Sequence, residues 1–310
     1  MLHFLSLRDW GAARAVETLD RADVLSALWR DDRMPQSLAG VRVALWFPDG
    51  GFRNRLAFEL GAQAMGAIVA YMPGEVGAPE PVDDVAAYLA NWFDVLVVRT
   101  WGHADLVRLA ASERLPVVNG RTAEGHPCEI LGDLLHLRRR RGTLDGLAVA
   151  YVGPASNIGT SWLEAASILP IRVVQVCPPG YETAPALLAE LRAGAAGTLA
   201  VSHDLDDALR DVDVIYTDCW PSSRPGETRD DVARAFRPYR IDVRHLERLR
   251  DDGVFLPCPP VTRGEEVTAA AMSSPRCESP AAKERLLHVQ NAILERVALD
   301  TGAVSDVDRR

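Results

Sequence analysis

The stretch Val117-Val118-Asn119-Gly120, followed after a short gap by His126-Pro127-Cys128-Glu129-Ile130-Leu131-Gly132-Asp133, decides the fold. An apolar run ends at an Asn-Gly turn signal, a His-Pro step follows, and a helical pattern opens beyond it. Pro127 fixes its own φ and biases His126 toward extended backbone. The helix therefore cannot begin earlier, and the imidazole is left at a strand-to-helix junction. In parallel α/β sheets such junctions, at the carboxyl ends of strands, are where ligands sit.

Outward from this stretch, strand and helix patterns alternate. Residues 41–47 read as a buried strand, 53–66 as an amphipathic helix, 94–99 as a second strand, 104–111 as a helix and 115–118 as a third strand. A second series follows: strand 147–152, helix from 158, strand 172–177, helix 184–193, strand 212–217. That alternation implies an α/β fold of parallel sheets covered by helices on both faces. At 310 residues the chain is long for one core and divides into two domains. The joint falls at the helix ending in Arg138-Arg139-Arg140-Arg141-Gly142. Four consecutive Arg can mark a nucleic-acid patch or a solvated helix end favoured by the helix dipole, and the second reading is preferred. A last helix near 281–297 carries an apolar stripe at helical spacing.

Hydrophobic residues at 48% and charged residues at 25% describe an ordinary globular chain. A net charge of −9 opposes general nucleic-acid binding, which shows a basic face. No run approaches the ~18 apolar residues of a membrane span, and the N-terminus lacks a basic-then-apolar signal pattern, so a cytoplasmic location is expected. Cys128, Cys177, Cys219, Cys258 and Cys277 are widely spaced, with no C-x-x-C pair and no Cys/His cluster of zinc type, so reduced thiols and no metal are expected. The basic residues are Arg except for Lys283, which leaves Lys out of the catalytic candidates.

Two further stretches carry chemistry. Pro48-Asp49-Gly50-Gly51-Phe52-Arg53-Asn54-Arg55 joins a strand to a helix through two glycines and places Arg in the first turn. Free amides at a helix N-terminus attract an anion, and a guanidinium holds phosphate through two bonds, although many such turns carry no ligand. Arg99 closes the strand of 94–99, either pointing into the crevice of the sheet or salt-bridged at a domain edge. Gly153 and Gly159 lack the tight G-x-G-x-x-G turn, which disfavours a dinucleotide-binding oxidoreductase.

Together these motifs resemble the ornithine/aspartate carbamoyltransferase family. The family's P-V-x-N-G-L…H-P-x-Q-x-L-x-D falls on Pro116 to Asp133, with Glu129 standing for Gln. Its S-T-R-T-R-x-x-F-E falls on Gly51, Phe52, Arg53, Asn54 and Arg55 through Phe58 and Glu59. The resemblance implies that this loop holds carbamoyl phosphate. Of the direct contacts only Arg53 is retained, with Gly51, Phe52 and Asn54 in place of the hydroxyl residues and Arg55 and Glu59 as structural partners. It also implies that Arg99 reaches the carbamoyl oxygen beside His126. Glu129 only accepts hydrogen bonds, and either suits a cationic group or pairs with an Arg. Asn157, in Gly153-Pro154-Ala155-Ser156-Asn157, resembles the second Asn of G-D-G-N-N; Asp218, Ser222 and Ser223, in Thr217-Asp218-Cys219-Trp220-Pro221-Ser222-Ser223, resemble T-D-V-W-x-S-M. By resemblance these bind the acceptor amino acid, with Asp218 facing its α-ammonium. Leu256-Pro257-Cys258-Pro259-Pro260 resembles H-C-L-P, implying that Cys258 lines the site and that Pro259-Pro260 is cis; as a lone thiol Cys258 can equally be inert filling. Arg285, in Ala282-Lys283-Glu284-Arg285-Leu286, matches an Arg at the carbamoyl phosphate end. The remaining histidines have no comparable context.

The resemblance begins at His3-Phe4-Leu5 and continues past Gln290. It implies two doubly wound parallel-sheet domains joined by helices. Residues 1–141 form the carbamoyl phosphate-binding-like domain and 142–280 the amino-acid-binding-like domain, with the C-terminal helix 281–310 packing back on the first. It further implies a homotrimer, small-molecule substrates, no cofactor, and a carbamoyltransferase acting on an ornithine-like or other amino acid. The altered loop points to a specialised enzyme of secondary metabolism. The alternatives are condensation or hydrolysis of a ureido or amidino compound, and a non-catalytic amino-acid-binding protein.

Overall fold

The computed structural model describes residues 1–48, 50–77, 80–300 and 302. Asp49 of the first anion-site stretch and the end of the 281–310 segment lie outside them. Two compact units emerge, one of 1–136 with 283–310 and one of 137–282.

The first unit carries a four-stranded parallel sheet in the order β2-β1-β3-β4, built from β1 (Arg42–Trp46), β2 (Ile68–Met72), β3 (Val95–Arg99) and β4 (Val117–Arg121). The central β1 and β3 are runs of Val, Leu and Ala buried on both faces, as a helix-covered parallel sheet requires. Val82, Ala86 and Leu89 of one helix and Leu106 and Leu109 of another pack with Ala44, Leu96 and Val98. The C-terminal helix, Ser279–Asp300, contributes Glu295, fully buried and held by Arg21 at 2.6 Å and by Ser37.

The second unit carries a five-stranded parallel sheet in the order β7-β6-β5-β8-β9, built from β5 (Ala148–Val152), β6 (Arg172–Val176), β7 (Thr198–Ser202), β8 (Val214–Thr217) and β9 (Val254–Pro257). Ala150, Val174, Ile215 and Phe255 form one core with Ile241 and Leu246. Ser156 caps the helix Asn157–Ile168, and a reciprocal Thr228–Asp231 box caps Arg229–Phe236.

One expectation is corrected. Asn119-Gly120 is no turn: β4 runs through both to Arg121. The Asn119 amide N–H donates to Phe4 O at 2.7 Å and its side chain to Leu5 O at 2.7 Å, so the N-terminal segment continues the ladder. Glycine is favoured at 120 because a Cβ there would crowd Phe47 at 3.0 Å and Val98 O at 3.1 Å. The compact units divide after His136, inside the helix Pro127–Arg141, whose end pairs within the second unit, Arg140 with Glu278 at 2.9 Å and Arg141 with Asp213 at 3.7 Å. The joint returning to the first unit falls after Ala282, inside the helix Ser279–Asp300. No helix among the described residues is long and apolar enough to cross a membrane.

Candidate active site

In the first unit the singled-out residues follow the carboxyl ends of β1, β3 and β4. Gly51 caps the helix Phe52–Ala64 in left-handed backbone, φ +66°. A Cβ on it would sit 2.6 Å from Cζ and Nε of Arg99, so the missing side chain is the room the guanidinium occupies. Burial, the Arg121 charge and then Arg53 lower the Arg99 pKa to about 10 against the opposing pull of Glu129, which leaves it cationic at neutral pH. Arg121 pairs in register with Arg99 across β3 and β4, and its guanidinium lies 3.8 Å from the ring of Trp101. Arg53 lies over the exposed ring of Phe52, 4.8 Å away.

His126, Asn54, Glu129, Asp133 and Lys283 form one buried network. Asn54 Nδ2 is 3.2 Å from His126 Nε2 and 3.3 Å from Glu129 Oε2, while its Oδ1 accepts from Gln290 Nε2 at 2.6 Å. A carboxylate only accepts, so Glu129 fixes the NH₂ end of Asn54 toward itself and the imidazole. His126 Nε2 is then an acceptor, and Nδ1 carries the proton. Burial lowers the His126 pKa to about 4, with Arg99, Arg121 and Lys283 reinforcing and Glu129 opposing, so the ring is neutral at pH 7. His126 thus donates only through Nδ1–H. Burial alone would raise the Glu129 pKa; the Lys283 charge overrides it and, with His126 and Asn54, holds the carboxyl below the usual range. Lys283 Nζ lies 2.7 Å from Glu129 Oε1 and 2.7 Å from Asp133 Oδ1. Glu129 pairs with Lys283, not with an Arg.

Two residues escaped the motif reading. The motifs do not mark Lys283, the chain's only Lys, and Arg121 stands where the family motif has Leu, a second departure beside Glu129. Both signals were present as charged residues at apolar or acidic motif positions. The replacements in the loop offer little to an anion: Gly51 has no side chain, Phe52 is apolar, and Asn54 is engaged with His126, Glu129 and Gln290. Arg55 pairs with Glu59 at 3.0 Å. Arg285 Nη1 reaches Ser26 Oγ at 3.1 Å and Glu284 at 3.0 Å.

In the second unit, residues following β5, β8 and β9 come together. Asp218 Oδ2 accepts from Ser156 Oγ at 2.8 Å and from Tyr151 Oη at 3.5 Å, and Oδ1 accepts from Cys219 N at 2.8 Å. Asn157 is buried in the first turn of its helix, its Oδ1 accepting from Ile158 N at 2.9 Å. Cys258 is buried, its amide donating to Thr217 O at 2.8 Å, and Pro259-Pro260 is cis. Ser222 and Ser223 are exposed on an irregular segment. The motifs do not mark Ser156 and Tyr151 as partners of Asp218, although Ser156 at a helix cap is legible as the partner of a strand-end Asp.

The first unit therefore gathers guanidinium groups and a neutral imidazole, chemistry that suits an anionic, carbonyl-bearing ligand. The second carries the Asp218 carboxylate, chemistry that suits a cation. Residues 2–139 match the aspartate/ornithine carbamoyltransferase carbamoyl-P binding domain, and residues 145–297 the Asp/Orn binding domain of the same proteins. The chain is 34% identical over 309 residues to the ornithine carbamoyltransferase of Parafrankia sp., covering 97% of each. It is 33% identical over 296 residues to that of Cupriavidus metallidurans, covering 94% of this chain and 95% of the relative. The ornithine carbamoyltransferase structure from Pyrococcus furiosus superposes with a TM-score of 0.91 at 29% identity, covering 98% of each chain. That from Burkholderia thailandensis gives 0.88 at 30%, covering 96% of this chain and 99% of the other.

Proposed function

The chain belongs to the aspartate/ornithine carbamoyltransferase family, and from that premise we propose that it transfers the carbamoyl group of carbamoyl phosphate to the amine of an ornithine-like amino acid. The neutral amine attacks the carbamoyl carbon, a C–N bond forms, the C–O bond to phosphate breaks, and the amine proton passes to the departing phosphate. Arg99 and the Nδ1–H of His126 stabilise the oxyanion, an interaction whose removal typically costs ~10²–10³ in rate. Arg53 and the first amides of the helix Phe52–Ala64 take the phosphate, with Arg121 adding charge in place of the missing hydroxyls. Asp218 holds the α-ammonium, and Asn157 and Ser222 the rest of the amino acid. The observation that carries the reading is Arg99 seated over Gly51 beside a neutral His126.

The exchange of three hydroxyl donors for Gly51, Phe52 and Asn54 supports a specialised member serving secondary metabolism. The same exchange supports a second reading, a protein that binds the amino acid without turnover. All five cysteines stand as free thiols, in keeping with the cytoplasm. Exposed Phe52, Leu56 and Leu60 on one helix, and Ile68 and Tyr71 on the edge strand β2, support self-association as a homotrimer.

Calorimetric titration of carbamoyl phosphate into the protein and into Arg53→Ala tests the donor assignment. Saturable binding lost in the variant supports it, and absence of binding to the intact protein rejects it.

A further inference from the structure

Outside the residues assigned above, one cluster combines three different metal-ligating chemistries. A ring nitrogen of His203, the thiol of Cys177 and a carboxylate oxygen of Glu182 all lie within 4.8 Å of one another. Around a tetrahedral ion with zinc-like bond lengths, ligand atoms stand roughly 3.3–3.8 Å apart, so small side-chain rotations bring these three onto one centre.

The frame that holds them is rigid. Cys177 follows β6 and His203 follows β7, two paired parallel strands, and Cys177 N donates to Ser202 O at 3.2 Å. Tyr239 Oη donates to the His203 carbonyl at 2.7 Å. Glu182 lies on the connecting loop, where Oε2 accepts from Gly180 N at 2.6 Å. That loop is pinned on one side by Thr183 N to Gln175 Oε1 at 2.9 Å and on the other by Ala155 N to Tyr181 O at 2.7 Å.

The imidazole is also set in its tautomer. His203 Nδ1 lies 2.8 Å from the carbonyl oxygen of Cys177, which only accepts, so Nδ1 carries the proton and Nε2 presents the lone pair. A metal-bound His characteristically donates its other N–H to a backbone carbonyl, so Nε2 is the nitrogen left to take an ion. A sulfur, a nitrogen and an oxygen ligand together suit a borderline ion of the Zn²⁺ or Co²⁺ type and not Mg²⁺ or Ca²⁺.

We propose that Cys177, Glu182 and His203 form a divalent transition-metal site, completed by water, at the carboxyl edge of β6 and β7. The ion binds from the side of the exposed His203, displaces the thiol proton of the buried Cys177, and clamps the 177–183 loop against the residues beside Ser156. The role is structural, separate from carbamoyl transfer.

Titration of Co²⁺ into the purified full chain, followed by absorbance, tests it. One equivalent should develop a thiolate-to-cobalt charge-transfer band with tetrahedral d–d bands. Cys177→Ser should abolish the charge-transfer band, and His203→Ala and Glu182→Gln should each weaken Co²⁺ binding by more than about 10-fold, the least that loss of even an outer partner costs. His203 is exposed, so His203→Ala decides the question even where Cys177→Ser fails to fold. Absence of the band, or a band of unchanged affinity in His203→Ala, overturns the proposal, as does a band that survives Cys177→Ser because it arises from another of the cysteines.

Discussion

Lys283 Nζ lies 2.7 Å from Glu129 Oε1, and the same ammonium reaches Asp133 at 2.7 Å. The one lysine of the sequence thus pairs with two carboxylates that are 6% and 1% exposed. Removing one partner of a buried pair strands charge at a cost of about 3–5 kcal/mol. Lys283→Met should destabilise the protein by that order in urea melts. Adding Glu129→Gln, which carries no charge, should recover at least ~1 kcal/mol as a coupling energy between contacting residues. Strictly additive losses would contradict the pairing.

Gly51 and Arg99 are coupled by space. Gly51→Ala places a Cβ 2.6 Å from the Arg99 guanidinium, on a backbone of φ +66° that costs an alanine about 1 kcal/mol. The guanidinium must move, so carbamoyl transfer should fall by ~10²–10³ in kcat/KM while the fold survives. Gly51→Ser restores the motif residue and should fail in the same way. Activity equal to the parent in either variant would show that Arg99 is not held where the oxyanion forms.

Arg121→Leu separates stability from binding. In the free protein Arg121 opposes the charge of buried Arg99, so its loss should leave Tm unchanged or higher. Binding of carbamoyl phosphate should weaken by about 10-fold, or ~1.4 kcal/mol. A lower Tm with unaltered affinity would make Arg121 a structural residue stacked on Trp101.

The buried imidazole sets an acid limit. His126 titrates at about 4 when folded and near 6.5 when unfolded. Between those values the unfolded chain binds the extra proton, so stability rises with pH and is lost on acidification, by about 3 kcal/mol in all. Glu129, held low by Lys283, removes further stability as pH falls below its ordinary 4.5. Urea melts from pH 7.5 to 4 should show the decline. His126→Gln should flatten its upper part, leaving the smaller contributions of His3 and His245, which burial also lowers. Because the ring stays neutral, the kcat/KM profile should show no ionisation belonging to His126 between pH 5 and 8. A limb near 6.5 that vanishes in His126→Gln would refute the neutral assignment.

Much of the architecture is legible because buried parallel strands are continuous apolar runs: β1, β3, β5, β6 and β8 are all visible. The strands the sequence reading passes over, β2, β7 and β9, lie at sheet edges, where burial is partial or the run is only four residues. Asn119-Gly120 misleads because its turn chemistry is overridden by pairing with Phe4, more than 100 residues away. In the site, Arg53, Arg99 and His126 stand out because strand ends announce them. Lys283 does not, since its partners Glu129 and Asp133 lie about 150 residues earlier and meet it only when the last helix returns to the first unit. Cys177 and His203 are invisible for the same reason: a separation of 26 residues matches no ligand spacing until β6 and β7 pair.

Incubation of the protein with carbamoyl phosphate and ornithine, with mass-spectrometric detection of the ureido product, tests carbamoyl transfer most directly. The account predicts a ureido amino acid and inorganic phosphate in equal amounts, both lost in Arg99→Ala. Phosphate release no faster than the uncatalysed breakdown of carbamoyl phosphate, with no ureido product from ornithine or other amino acids bearing a side-chain amine, would contradict it.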